Sequence, residues 1–242
     1  MVSWAEAALH VILPRACAHC REDLPCGDAG PLCAACHAAL PPPPNPACAR
    51  CGGSLGVRRD FCGACAGRLF ACRLARAAVS YRGPAASLVH AFKFRASPSA
   101  AREAGRVMAR ELPRWTELSG FDALVPVPLH PRRKRERGYN QAEIIAREVA
   151  AATGLPMLDV LERRRASSPS WRLGRMARRA ELSGAFAARP DAHKAVAGRR
   201  LLLIDDVCAS ATTLEECAFA LRRAGACDAA GFVFARAGWG TT

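Results

Sequence analysis

Hydrophobic and polar positions follow two different rhythms along this chain. Residues 76–83 (RAAVSYRG) read as a short strand and turn, and 84–94 (PAASLVHAFKF) as a helix. Residues 99–112 carry the 3.6-residue helical period. A buried strand cut by prolines follows at 121–129 (FDALVPVPL), then an amphipathic helix at 140–154 with Gly154 at its C-cap position. Residues 199–207 (RRLLLIDDV) are apolar without alternation, the pattern of a strand covered on both faces in a parallel sheet. A helix over 212–226, which Thr212 or Thr213 would cap, and a last strand at 229–237 complete the series. Such strand–helix alternation predicts an α/β domain built on a doubly wound, mostly parallel sheet.

From residue 17 to residue 70 neither rhythm holds, and cysteine organises the chain instead. Eight of the thirteen cysteines form four C-x-x-C pairs: Cys17/Cys20, Cys33/Cys36, Cys48/Cys51 and Cys62/Cys65. Each pair lets two thiolates from one tight turn reach the same ion, and two such turns complete the closed Cys₄ tetrahedron of structural zinc. The spacing predicts two zinc ribbons in tandem, with one filled site or pairing across the units as the alternatives. Between them runs a proline-rich stretch (HAALPPPPNPA) too stiff and donor-poor to join either core. Cys26, Cys72, Cys208, Cys217 and Cys227 have no partner at metal spacing and read as small buried residues. The domain boundary falls near residue 70, giving a helix and double zinc ribbon over 1–70 and the α/β domain over 71–242.

Length and composition narrow the setting. At 242 residues, 51% of them apolar, the chain has material for one medium domain and a small appendage. No stretch reaches the roughly 18 uninterrupted apolar residues of a membrane helix. Residues 1–17 lack a basic leader and are interrupted by Glu6, so they read as an amphipathic helix and the chain as cytoplasmic. The formal charge of +14 suggests an anionic partner such as phosphates or nucleic acid. Eight thiolates (−8) with two Zn²⁺ (+4) lower it to about +10.

The chemistry concentrates in residues 201–214, LLLIDDVCASATTL. In a doubly wound sheet, ligands bind beyond the carboxyl ends of the strands, where this stretch must lie. Small residues leading into a helix offer backbone N–H groups to a phosphate. The two carboxylates before them suit vicinal ribose hydroxyls or a hydrated Mg²⁺. The same residues also fit a plain strand end whose aspartates face water or cap the next helix.

This stretch resembles the ribose-phosphate loop of type I phosphoribosyltransferases, in which hydrophobic residues, D-D and a T-T-G-A-T-like turn follow one another. The wider chain resembles the ComF family, whose members join a double zinc ribbon to a phosphoribosyltransferase-like domain and include competence factors. VPVPLHPRRKRERGYNQAE (125–143) matches that family's P-V-P-L-H, basic, R-G-(F/Y)-N-Q signature. HAFKFR (90–95) and the arginine-rich 161–186 ending in G-A-F match two further segments. The resemblance implies that Asp205 and Asp206 are the catalytic carboxylates, binding the ribose hydroxyls of phosphoribosyl pyrophosphate. It implies that Ala209, Ser210, Ala211, Thr212 and Thr213 hold the 5-phosphate. It further implies that Lys93, Arg132, Arg133, Lys134, Arg135 and Arg137 face the pyrophosphate with Mg²⁺, Tyr139 and Asn140 lying nearby.

Departures from the family pattern bear on turnover. Ala209 removes a hydroxyl donor from the loop, and Ala211 places a Cβ where glycine is usual. T-x-P-Q and R-x-x-N become Ser167-x-Pro169-Ser170 and Arg178-x-x-Glu181. Two readings follow: a phosphoribosyltransferase, or a DNA-binding or scaffold protein on a degenerate phosphoribosyltransferase fold. Single-stranded DNA is the candidate macromolecular partner, gripped through its backbone, since aromatics make up only 6% of the chain and base-stacking platforms are few.

Overall fold

In the computed structural model, which describes residues 15–26, 30–57, 59–166 and 175–238, two cysteine-rich loops pack against a four-stranded parallel sheet. The helix expected over 1–17 and the Ser167–Ser170 segment lie wholly or largely outside the described residues.

The cysteine-rich loops are structural repeats. In the first, Cys17 N–H donates to Glu22 O (2.8 Å), Arg21 N–H to Cys17 O (3.1 Å) and Leu24 N–H to Arg15 O (2.7 Å). In the second, Cys48 N–H donates to Gly53 O (2.8 Å), Gly52 N–H to Cys48 O (2.9 Å) and Leu55 N–H to Pro46 O (2.9 Å). Both knuckles need a left-handed residue after the second cysteine, Arg21 (φ 70°) and Gly52 (φ 64°). Arg21 is exposed, whereas a Cβ on Gly52 would sit 2.8 Å from Ala75 O, where the second loop docks on the sheet. A short helix α1 (Ala34–Ala38) closes the first unit.

The sheet has the order β1 (Ala75–Ser80), β6 (Asp228–Arg236), β5 (Arg200–Cys208), β2 (Ala123–Pro126). All three pairings are parallel. Helices α2 (Gly83–Phe94), α3 (Pro98–Glu111) and α5 (Gln141–Thr153) cover one face through Leu88, Phe92, Met108 and Ile145, against Leu124, Leu202, Ile204 and Phe232. Helix α8 (Thr212–Arg223) covers the other through Leu214, Cys217 and Leu221, against Val125, Leu201, Leu203 and Val233. Leu201 to Ile204 are fully buried, as a strand with both faces covered requires. The doubly wound α/β architecture expected from the alternation is therefore present, and Gly154 ends α5 at φ 73° as anticipated.

The structure adds elements the alternation did not signal. Residues Pro131–Arg137 form helix α4. Pro131 stands at the first helical position, Arg132 and Glu136 pair at i,i+4 (2.9 Å), and Gly138 ends the helix at φ 80°. A small antiparallel pair, β3 (Leu161–Arg163) and β4 (Phe186–Ala188), joins helices α6 (Arg175–Leu182) and α7 (Ala192–Val196) beside α8. The proline segment is not merely a spacer: Pro41 O accepts from Ser80 N–H (3.1 Å) and Pro42 O from Ser80 Oγ (2.6 Å), so donor-free prolines meet the open edge of β1. The expected threonine cap of α8 is also corrected. Ala211 occupies the N-cap position without a side-chain bond, and Thr212 and Thr213 are the first two helical residues.

Candidate functional site

Each ribbon gathers its own four cysteines, so the units do not exchange ligands. The sulphurs of Cys17, Cys20, Cys33 and Cys36 lie within 4.8 Å of one another, as do those of Cys48, Cys51, Cys62 and Cys65. Cys20 Sγ is 3.7 Å from Cys33 Sγ, and Cys51 Sγ 3.8 Å from Cys62 Sγ. A tetrahedral Zn²⁺ with bonds of about 2.3 Å needs sulphurs about 3.8 Å apart, so the donors fit zinc. Backbone N–H groups already point at sulphur: Cys33 to Cys17 Sγ and Cys62 to Cys48 Sγ, each at 3.4 Å. Burial works against ionising Cys17 and Cys48. The N–H groups of Cys33, His19 and Cys20 around Cys17, and of Cys51, Cys62 and Arg50 around Cys48, together outweigh it, bringing the thiols down to about 6 and about 7. Four sulphurs close each tetrahedron, leaving no ligand position for a substrate. Of the remaining cysteines, Cys72, Cys208 and Cys217 are buried as expected, whereas Cys26 is half-buried and Cys227 exposed.

The second locus forms where β2 stops and β5 continues. The last β2–β5 pair is Pro126 with Ile204, so Asp205 and Asp206 project beyond it, while Asp205 and Val207 still pair with β6. Lys93, in the last turn of α2, donates to Asp206 Oδ1 at 2.8 Å, and Asp206 N–H donates to Asp205 Oδ1 at 2.8 Å. Burial, then the neighbouring Asp206 charge, push the Asp205 carboxyl up to about 7. A cleft of about 140 Å³ opens here, lined by Lys93, Arg133, Arg137, Asn140, Arg163, Asp205, Asp206 and Thr213. Burial lowers the Arg137 and Arg163 guanidinium pKa values, and in both cases the charge of Arg133 adds to it. The cleft therefore crowds cations in poorly hydrated space, which an anionic ligand would relieve.

The basic segment divides by helical geometry. Arg133 and Arg137, four residues apart, face the cleft. Lys134 and Arg135 line a separate, larger groove of about 780 Å³ with His130, Arg164 and Arg189. Arg132 pairs with Glu136 and is exposed. Tyr139 and Asn140 hold the frame: Tyr139 OH donates to Phe92 O (2.7 Å), and Asn140 Nδ2 to Val127 O (3.1 Å) while its Oδ1 accepts from Ala142 N–H (3.2 Å).

After the aspartates the chain turns through 209–211 into α8, with Ser210 Oγ 3.0 Å from Thr212 Oγ1. Ala211 has φ 57°, ψ 1°, the left-handed conformation that favours glycine. Its methyl packs on the second ribbon's small core of Cys48, Cys51, Leu55 and Cys65.

Two residues here were not singled out in the sequence. Arg163 was one of several arginines in 161–186, and only the β3 register turns it towards Asp205. Arg236 is 4% exposed at the end of β6. A lone charge inside the apolar run GFVFARA was the available signal.

Comparison with known proteins finds similarity in both parts of the chain. A family model described as a double zinc ribbon domain matches residues 8–71. The chain is 29% identical over 213 residues to competence protein F of Haemophilus influenzae, covering 86% of this chain and 91% of that protein. It is 28% identical over 218 residues to the DNA utilization protein YhgH of Escherichia coli K12, covering 88% and 93%. Among solved structures it is similar to a glutamine phosphoribosylpyrophosphate amidotransferase from B. subtilis, with 20% identity, a TM-score of 0.37, and coverage of 56% of this chain and 26% of that one. The chain therefore carries a double zinc ribbon domain ahead of a doubly wound α/β domain, and it is similar to a competence protein and a DNA utilization protein over most of their length.

Proposed function

We propose that the protein binds phosphoribosyl pyrophosphate with Mg²⁺ in the cleft at the end of β5 and serves DNA uptake, with residues 1–70 as its zinc part and 71–242 as its phosphoribosyltransferase-like part. The observation carrying this reading is the juxtaposition in one cleft of an aspartate pair with Lys93, Arg133, Arg137 and Arg163, next to a left-handed turn into a helix. Asp205 and Asp206 accept hydrogen bonds from the ribose hydroxyls, with Lys93 Nζ holding Asp206 Oδ1 at 2.8 Å. The amides of 209–213 and the hydroxyls of Ser210, Thr212 and Thr213 take the 5-phosphate. Arg133 and Arg137 face the pyrophosphate. Mg²⁺, when bound with that group, supplies charge neutralisation as it leaves. The arginines add fixed positive charge at the same end, where charge builds up during transfer.

The loop is weaker than a threonine- and glycine-bearing one. Ala209 offers no hydroxyl, and a hydrogen bond to a charged group is worth about 1.5–3 kcal/mol. The left-handed Ala211 adds roughly 1–2 kcal/mol of strain. Ala209→Thr with Ala211→Gly is therefore expected to tighten binding of phosphoribosyl pyrophosphate with Mg²⁺ by roughly ten- to a hundredfold in calorimetric titration. Equal or weaker binding by the double variant would refute the loop assignment.

The larger groove favours a second role, contact with single-stranded DNA. It adjoins the cleft through Arg163 and carries Lys134, Arg135, Arg164 and Arg189, of which Lys134, Arg164 and Arg189 pair with Glu143, Glu162 and Asp159 of the same groove, so its positive charge is a modest excess. The named relatives, a competence protein and a DNA utilization protein, support this reading. Backbone contacts make log affinity fall by about 0.7 per contact for each log unit of salt. Lys134→Gln with Arg135→Gln should therefore weaken binding of all sequences alike and reduce that slope by about 1.4. A salt-independent affinity, or strong sequence preference, would exclude the electrostatic role.

A further inference from the structure

Arg236 is a charged side chain at the end of an otherwise buried strand, and its partners lie in both halves of the molecule. Its Nε donates to Cys51 O at 3.1 Å, and its Nη2 lies 3.6 Å from Cys51 Sγ, a ligand atom of the second ribbon. Its Nη1 donates to the carbonyls of Cys208 and Ala209, the two residues that lead from β5 into the turn before α8. One planar guanidinium thus spans the second metal site and the start of the loop.

Three further contacts run between the same partners. The methyl of left-handed Ala211 packs on the second ribbon's core. Glu215, in the first turn of α8, accepts from Ala71 N–H (2.7 Å) and Cys72 N–H (3.0 Å), where the chain leaves that ribbon. Gly53 leaves room for the arginine, since a Cβ there would come within 2.9 Å of Arg236 Nη2. The first ribbon has a different seat. Its Cys17, Leu24, Leu32 and Cys36 join the core formed with α2 and α3, and His37 meets Glu103 of α3 at 3.0 Å.

We infer that the second zinc ribbon is the outer support of the 208–213 loop, with Arg236 as the positioning residue that ties the loop's conformation to occupancy of that metal site. The physical reason is charge. A buried guanidinium needs nearby negative charge, and four thiolates with one Zn²⁺ carry a net −2. The filled site stabilises Arg236 in place, and Arg236 then holds the Cys208 and Ala209 carbonyls. The carbonyl bonds and the Ala211 contact keep the turn in a conformation that alanine alone disfavours. A lysine cannot replace this function, because its ammonium is a single point and cannot reach carbonyls on two sides at once. The inference concerns the loop's conformation and stands whether or not the loop binds phosphoribosyl pyrophosphate.

The test compares the two ribbons within the full-length zinc-loaded protein. Amide hydrogen exchange is followed at 208–213, and zinc release to a chromogenic chelator is followed in time. Arg236→Lys should leave two zinc ions bound at the start but speed the release of one of them at least tenfold, the other keeping its wild-type rate. The same variant should raise exchange at 208–213 at least tenfold while exchange in α3 stays unchanged. Cys62→Ser, which breaks the second site, should raise loop exchange likewise; Cys20→Ser, which breaks the first, should not. Unchanged loop exchange in Arg236→Lys, equal acceleration of both zinc ions, or equal loop exchange in the two cysteine variants would each overturn the inference.

Discussion

Protein purified without chelator is expected to carry two Zn²⁺ per chain, and removing them should unfold the ribbons, the second more completely than the first. The asymmetry follows from packing. The second ribbon's core consists of Cys48, Cys51, Leu55 and Cys65, so three of its four members are metal ligands. Without the ion, little apolar surface remains to offset the entropy of ordering the loop. Structural zinc contributes on the order of 10 kcal/mol in small zinc-dependent folds, far more than Leu55 supplies. The first ribbon shares Leu24 and Leu32 with the core over α2 and α3 and keeps part of its seat. Elemental analysis tests the stoichiometry: Cys65→Ser and Cys36→Ser should each lower it to one. Thermal unfolding should fall further for Cys65→Ser. Folded protein with no zinc would defeat the assignment, and a larger loss for Cys36→Ser would defeat the asymmetry.

The aspartate pair should give the second large effect, with the two members behaving oppositely in stability. Asp206→Asn leaves the partly buried Lys93 ammonium without its carboxylate. Removing one partner of a buried pair costs about 3–5 kcal/mol, with the lower end expected where solvent still reaches the lysine. Asp205→Asn instead removes a carboxyl that burial and the Asp206 charge hold up to about 7. Because that group binds its proton more tightly folded than unfolded, it makes the protein lose stability as pH rises from about 4 towards 7. Asp205→Asn should flatten this part of the pH–stability profile, whereas Asp206→Asn should lower the whole profile. Both changes together should abolish binding of phosphoribosyl pyrophosphate with Mg²⁺ by calorimetry below the unfolding temperature. Wild-type affinity in the double variant would reduce this stretch to a strand end.

Much of this organisation was legible in the residues. The C-x-x-C spacing dictates which cysteines can meet one ion, because two residues between thiols make a single knuckle whatever surrounds it. The unbroken apolar run at 201–204 requires cover on both faces, and the structure gives it helices on both. Gly154 could be placed because a helix end with a left-handed residue is a local event. Local chemistry of this sort carries over from sequence to structure unchanged.

What sequence alone could not supply depended on neighbours distant along the chain. Six basic residues looked equivalent in the sequence, yet only Lys93, Arg133 and Arg137 among them reach the cleft, because helix α4 turns Lys134 and Arg135 towards another groove. Arg163 joined them through the register of β3 with β4, which no single-strand pattern specifies. The left-handed Ala211 looked like a lost glycine and became intelligible once the second ribbon was seen behind its methyl. Arg236 shows the limit most plainly. Its burial is tolerable only because a cysteine 185 positions earlier brings negative charge to it. Knuckles, the glycine end of α5 and buried strands are decided by residues a few positions apart, so the sequence by itself determines them, whereas the expected threonine cap of α8 gave way to Ala211. Pairing of charges and support of strain are decided by which surfaces meet after folding, and only the tertiary structure could assign them.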